Sequence, residues 1–414
     1  MCIMMTLSLY ECMSNEMNIY KKTTFAVFSM ALLTSSLSGC LVKKPEKSNE
    51  AANDILNEKF YSSSLVIPVT INNKSYRFLV DTGASTTVIN EGTAKEITQE
   101  VSYSTLHPFH KKIFSNVKTV HDKIDVENLK LLKPVKMFIG NEEVGDNEIW
   151  IAKDLSLLTQ SSGTNIDGII GIDTFRKFNW LVDNKKGRLT ISRKSPPIST
   201  YSHCVAYEDA YGESPYFYLD YGNNNFIKMG IDTGNDGSDL GKDFIEHVKK
   251  QKGKITPIEY SFTAVEATGL IKISQYIITG LTFNNHPVGE MIISENNNNQ
   301  YFLGMNFLSR FNQYAFMPSK MLFCYNTNSL YKEHQYPIRH IGVRYYNEHL
   351  EIFYNDKKEL DQYHLKDGDV IKSINGINYL PREIKKVREI LSLTPKNKLT
   401  LIIERLGVKQ KIVI

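Results

Sequence analysis

Phe78-Leu79-Val80-Asp81-Thr82-Gly83-Ala84-Ser85 is an apolar run that ends in an acid, a hydroxyl and a glycine. A near copy stands later in the chain, at Met229-Gly230-Ile231-Asp232-Thr233-Gly234. A carboxylate at the end of a buried strand is costly unless it is hydrogen-bonded or shares a proton. The glycine allows a turn with positive φ, and its amide can approach the carboxylate. One such tripeptide is an ordinary turn sequence. Two of them, each after an apolar strand, predict two carboxylates brought together by two related halves.

The repeat extends beyond the tripeptide. Ile169-Ile170-Gly171 follows the first acid at a distance, and Phe302-Leu303-Gly304 follows the second. Beyond each glycine, Asp173, Phe175, Lys177, Phe178 and Asn179 align with Asn306, Leu308, Arg310, Phe311 and Asn312. Asp-Thr-Gly with a distal apolar-apolar-Gly resembles the retropepsin-like and pepsin-like aspartic proteases, over roughly Tyr61 to Tyr325. The resemblance implies a mainly β protein with two retropepsin-like β-barrel lobes forming a pseudo-dimer within one chain. It implies Asp81 and Asp232 as a catalytic dyad, with Thr82, Gly83, Ser85, Thr233 and Gly234 holding them. Ser85 and Thr86 are expected to hydrogen-bond near the carboxylate. The distal apolar pair and glycine would brace the catalytic loop. Neither a metal nor an organic cofactor is implied, and the expected partner is a peptide or protein substrate bound by a monomer.

Composition fits this reading. The chain has 414 residues, enough for about three domains. Tyr 23 and Phe 20 against Trp 2, with many β-branched runs, favour strands. A net charge of +4 does not call for a nucleic-acid partner.

Residues 17–40 read as an export signal, and residues 1–40 as leader and signal together. Lys21 and Lys22 form a positive region, Phe25 to Leu37 an apolar one, and Leu37-Ser38-Gly39-Cys40 closes it. That apolar stretch suits a signal peptide and is short for a spanning helix. Small residues before Cys40 resemble the bacterial lipoprotein signal, which implies a lipid on Cys40 and a membrane anchor. The alternative is a generic signal peptide that contains a cysteine. Leu41, rather than an acid, after the cysteine is compatible with the outer membrane, facing the periplasm. Met17 is the more natural start. Residues 41–55 read as a tether, and Asp54 to Phe60 as a short helical turn.

The first lobe is expected over 56–198. Leu65 to Ile71 is a strand candidate, placed at a sheet edge by Pro68. Asn72-Asn73-Lys74 turns the chain into a second strand, Tyr76 to Val80. Residues 101–130 carry His107, His110 and His121. A His-x-x-His spacing fits zinc, but Pro108 breaks helical presentation and no cysteine or carboxylate motif completes a site. A solvated loop or flap is the expectation there. The second lobe is expected over 199–328, with Glu266-Ala267-Thr268-Gly269 as a flap tip or an ordinary hairpin turn. Its acid loop differs: Asn235-Asp236-Gly237 stands where the first has Ala84-Ser85-Thr86, which puts a third acid, Asp236, near the pair. Cys204 and Cys324 bracket this lobe and read equally as a disulfide or as two buried thiols.

Tyr336-Pro337 marks a linker, and 338–414 a third domain. Leu365-Lys366-Asp367-Gly368-Asp369-Val370-Ile371-Lys372-Ser373-Ile374-Asn375-Gly376 resembles the Leu-x-x-Gly-Asp-x-Ile-x-x-Ile-Asn-Gly core of PDZ domains. His364 stands where those domains carry glycine. The resemblance implies a β-sandwich with a helix, here Pro381 to Leu393, lining a peptide groove. Ile341, Gly342 and Val343 would supply its carboxylate-binding loop. Together these readings give an exported, lipid-anchored aspartic endopeptidase with PDZ-assisted substrate binding. The alternatives are an inactive peptide-binding or sensing protein of the envelope, hinted at by Asn235-Asp236, and an envelope scaffold. A scaffold needs neither acid.

Overall fold

The computed structural model describes residues 54–60, 64–114, 129–144, 149–210, 213–251, 254–258, 262–266, 269–333, 335–353 and 357–414. The expected leader, Cys40, His121, Ala267 and Thr268 lie outside them.

The strand that ends in Asp81, Lys74–Val80, runs antiparallel to Val66–Ile71 and parallel to Gly168–Ile170. Gly168–Ile170 also pairs antiparallel with Val88–Asn90. The second acid has the same surroundings. Phe226–Ile231 lies antiparallel to Tyr216–Asp220 and parallel to Phe302–Leu303, and the latter bridges to Asp239–Gly241. Each hairpin is closed by two asparagines with positive φ, Asn72 and Asn73 in one and Asn223 and Asn224 in the other. That backbone matches the twist of the flanking strands and suits asparagine. The sheets are mainly β and curled, consistent with an aspartyl protease barrel.

A six-stranded sheet joins the two halves. Its order is Asp54–Lys59, Arg188–Ser192, Asn179–Asp183, Gln313–Met317, Leu322–Asn326, His203–Ala206. Trp180 pairs with Phe316 and Val182 with Tyr314 at the seam. Phe175 stacks on Trp180 with ring centroids 4.9 Å apart, and Phe316 meets Phe175 edge-on. Each such fully buried side chain contributes about 1.5–3 kcal/mol, so the seam is a core and not a loose contact.

Several sequence expectations change here. Asp54–Lys59 is a strand, because pairing with Arg188–Ser192 overrides a weak helical preference. Val66–Ile71 is not at the sheet edge, since it has neighbours on both sides. Its second neighbour pairs only with Thr70 and Ile71, so the missing N–H of Pro68 disturbs no ladder there. Pro108 opens a helix, Pro108–Phe114, where a loop was expected. Proline is suited to the first helical position, and the His107 ring accepts a bond from the Phe109 amide at 3.2 Å. Cys204 and Cys324 face each other across paired strands and form a disulfide.

Residues after the second half are anchored before the C-terminal sheet begins. Leu330 is buried, and the Arg310 guanidinium donates to the carbonyls of Leu330 at 3.1 Å, Glu290 at 2.6 Å, and Val288. The C-terminal domain then forms a five-stranded sheet in sequence order, Val343–Tyr346, His349–Ile352, Val370–Ile374, Thr400–Arg405, Val408–Val413. The Ile384–Leu393 helix buries Ile384, Val387 and Leu391 against it. His364 adopts φ +56°, the left-handed backbone that makes glycine the usual residue at such a position. Asp369, at the entry to the third strand, is buried and takes two bonds of 2.7 Å from Arg405.

Candidate active site

The two acid loops meet across the halves. Asp81 donates its amide to the Ile170 carbonyl at 2.9 Å, and Asp232 its amide to Leu303 at 3.0 Å. Both acids are thereby fixed at strand ends by the distal apolar pair. The glycine that follows each pair completes the brace. A Cβ on Gly171 would lie 2.5 Å from the Thr86 carbonyl, and one on Gly304 1.7 Å from that of Gly237. Ile172 then bonds to the Ala84 carbonyl and Met305 to that of Asn235. The expectation that these motifs brace the loops describes both halves.

Thr82 and Thr233 tie the loops together. The Thr82 amide donates to Thr233 Oγ1 at 3.1 Å, and the Thr233 amide to Thr82 Oγ1 at 3.1 Å. Each hydroxyl then donates across the interface, Thr82 to the Ile231 carbonyl and Thr233 to that of Val80. Both side chains are buried. Ser214 adds a 2.7 Å bond from its hydroxyl to the Thr82 carbonyl.

Gly83 and Gly234 bring their amides to the carboxylates as expected, but not through positive φ, and they serve a further purpose. A Cβ on Gly83 would stand 2.7 Å from the Asp232 carboxyl, and one on Gly234 2.4 Å from that of Asp81. Glycine is required because each loop passes directly over the opposite acid. Their amides also bond their own acids, Gly83 to Asp81 at 2.8 Å and Gly234 to Asp232 at 2.9 Å.

The acids differ in surroundings. Asp81 is half-buried and takes a second amide bond, from Ala84 at 3.1 Å. Burial raises its pKa, while its hydrogen bonds with Asp232, Gly83 and Ala84 oppose that rise. Asp232 is buried, and its carboxyl is held well above the usual aspartate value. Desolvation is the leading cause, followed by the charge of Asp81, the hydrogen bond with it, and the charge of Asp239. Burial thus pushes both carboxyls upward, Asp232 the further.

The sequence misassigned three neighbours. No bond from Ser85 reaches either carboxyl among the described residues, and the Thr86 hydroxyl donates instead to Ile149 at 2.9 Å. Besides Asp81, the acid that leads in raising Asp232 is Asp239, where the sequence pointed to Asp236. Asp239 is buried and is bonded by the Asn235 amide at 2.5 Å, so Asn235 holds the second loop in shape. An acid seven positions after Asp232 was visible in the sequence, but the turn that buries it was not. No group of three or more metal-ligating side chains occurs among the described residues, His107 and His110 included.

Residues 67–174 match the family model of aspartyl proteases, of the retropepsin-like kind. The match spans Asp81-Thr82-Gly83 and Ile169-Ile170-Gly171 and ends before the second half. It supports a protease among the hydrolases. No curated protein matches the chain.

Proposed function

We propose that this protein is an aspartic endopeptidase whose two halves form an intramolecular pseudo-dimer of retropepsin-like lobes, with Asp81 and Asp232 as its catalytic dyad. The observation that carries this reading is the crossed pair of Thr82 and Thr233 bonds, together with the hydrogen bond between the Asp81 and Asp232 carboxyls. Two acids about 3 Å apart cannot both ionise easily and share one proton. Asp81, with the greater number of amide donors, is the ionised member. It takes a proton from a bound water, whose oxygen attacks the scissile carbonyl carbon. Asp232 gives its proton to the carbonyl oxygen, leaving a neutral tetrahedral diol. When the C–N bond breaks, Asp81 passes its proton to the departing amine and Asp232 recovers one from the diol. The products are a carboxylic acid and an amine, with the dyad restored.

The C-terminal domain is read as PDZ-like, assisting by binding substrate chains, with Ile341, Gly342 and Val343 at the end of its groove. Cys40 is read as the acylated residue of a lipoprotein, which would hold a monomeric enzyme at the bacterial outer membrane facing the periplasm. One acyl chain anchors only marginally, and the lipoprotein modification supplies several. The Cys204–Cys324 disulfide supports an oxidising compartment. No helix among the described residues is long and apolar enough to cross a membrane.

Incubating the protein with a mixed peptide library beside Asp81→Asn tests the enzyme reading. New internal cleavages in the wild-type sample alone support it, and identical product profiles in the two samples reject it. Membrane fractionation of the wild type beside Cys40→Ser tests the anchor: soluble recovery of both contradicts it.

A further inference from the structure

The groove of the C-terminal domain is already engaged by the first half of the molecule. Among the described residues, Val343–Tyr346 is the edge strand of its sheet, with a hydrogen-bonded neighbour on one side only. Phe353 donates to the Gly342 carbonyl on that side, so by alternation Val343 and Tyr345 direct their backbone groups outward. An outward edge beside a helix is where an extended peptide adds as a strand. Here the Ser156–Ser162 helix of the first half packs against both that strand and the Ile384–Leu393 helix.

The contacts are specific. The Arg388 guanidinium donates to the Val343 carbonyl through Nε at 3.1 Å and Nη2 at 2.6 Å, and through Nη1 to the Ser161 carbonyl at 2.9 Å. One side chain thus fills the strand edge and grips the end of the Ser156–Ser162 helix. Gly163, which caps that helix with φ +74°, lies so close that a Cβ would stand 2.0 Å from the Pro381 carbonyl and 3.1 Å from Ile384 Cγ2. Arg344 on the edge strand reaches Gln160 at 3.4 Å.

The gripped helix also adjoins the Asp81 loop. Leu155 and Leu158 pack with Leu79, Ala84 and Val88, around the Asp81 loop. Its other neighbour is Phe262–Glu266, the first strand of the second half's hairpin.

We propose that the C-terminal domain is latched to the first lobe through its own peptide groove, and that a peptide chain end with a free carboxylate releases it by taking the place of the Ser156–Ser162 helix. This rests on the reading of that domain as a peptide binder. Arg388 now donates to a neutral carbonyl, Ser161 O, whereas a carboxylate forms a shorter and stronger charge-assisted bond. Release is by movement of the domain, because the helix is fixed in its own lobe. The Leu155 amide is held by Asn90 Oδ1 at 3.1 Å and the Ile166 amide by Thr159 Oγ1 at 3.0 Å. The tether for such movement is short, from Lys332, which is bonded to Val288, to Ile338, which is bonded to Ser392.

The test uses the full chain and a fluorescent library of unstructured ten-residue peptides with free carboxyl termini, with amidated copies as the comparison. Gly163→Asn keeps the left-handed cap, which asparagine tolerates, but cannot keep the contact with Pro381. It should bind the acid peptides at least ten-fold more tightly than the wild type does, and the amidated copies should bind more weakly in both. Saturating the wild type with the best acid peptide should raise its radius of gyration in small-angle scattering and speed amide exchange over Ser156–Ser162. Equal affinities for Gly163→Asn and wild type overturn the latch. So does binding with no change in radius or exchange, and so does a failure of all acid peptides to bind either protein. Hydrolysis is not read in these assays, so a failure of the peptidase reading leaves their outcome intact.

Discussion

Thr82 and Thr233 exchange two hydrogen bonds of 3.1 Å, each amide donating to the other's hydroxyl, so the two acid loops are held by one reciprocal contact. The position of the acids therefore depends on this pair of side chains, which adds to the six-stranded sheet in holding the halves together.

Removing either hydroxyl strands buried partners. Thr82→Val leaves the Thr233 amide and the Ile231 carbonyl unpaired, and Thr233→Val does the same to Thr82 and Val80. Each should lose about 2–4 kcal/mol in urea unfolding, since an unsatisfied buried group costs about 1–3 kcal/mol. The double variant should fall short of the sum, because the first change already loosens the contact. Near-wild-type stability in both single variants would show that the contact does not hold the halves.

Gly83→Ala and Gly234→Ala put a methyl against the opposite carboxyl. Displacing a catalytic group by about 1 Å can cost roughly 10²-fold in rate, so kcat on a short peptide should fall by at least about that factor. Gly92→Ala is the control, because its Cβ would meet only the Asn90 side chain, at 3.5 Å. If all three variants turned over alike, the close passage of loop over acid would be irrelevant to rate.

The raised pKa of Asp232 has a consequence for stability. A folded carboxyl that titrates above its ordinary value of 3.8 binds more protons than the unfolded chain does in the interval between. Its contribution is therefore greatest below about pH 4 and declines as pH rises through the folded value. Asp232→Asn, which stays neutral, should melt above the wild type at neutral pH, and the gap should close on acidification. A gap that does not vary with pH would mean that burial does not hold the proton on the pair.

The disulfide makes a separate prediction. Cys204→Ala/Cys324→Ala should lower stability by about 2–4 kcal/mol while leaving kcat nearly unchanged, as the bond lies in the six-stranded sheet and not at the acids. A loss of activity with no loss of stability would place the bond's role elsewhere.

The sequence shows what local pattern encodes and hides what only the third dimension decides. Asp81-Thr82-Gly83, Asp232-Thr233-Gly234 and the two apolar-apolar-glycine motifs are legible because each pairs a strand period with a turn. The close passage of Gly83 and Gly234 over the opposite acids is not legible, since the atoms that exclude a Cβ come from the other half, about 150 positions away by the separation of the crossed threonine bonds. Asp236 and Asp239 are equally acidic on paper, and only burial selects Asp239. Asp54–Lys59 became a strand through a partner far along the chain. The grip of Arg388 on Ser161 leaves no signal, because a mid-helix arginine normally reads as a solvated face.

The most direct test of the account is kcat/KM against pH on one cleaved short peptide, for the wild type, Asp81→Asn and Asp232→Asn side by side. The account predicts a bell-shaped wild-type profile whose two limbs belong to the pair jointly, and a loss of about 10³-fold or more in each variant with the fold intact. Turnover within ten-fold of wild type in either variant, or a wild-type rate flat across acidic and neutral pH, would contradict the shared-proton dyad.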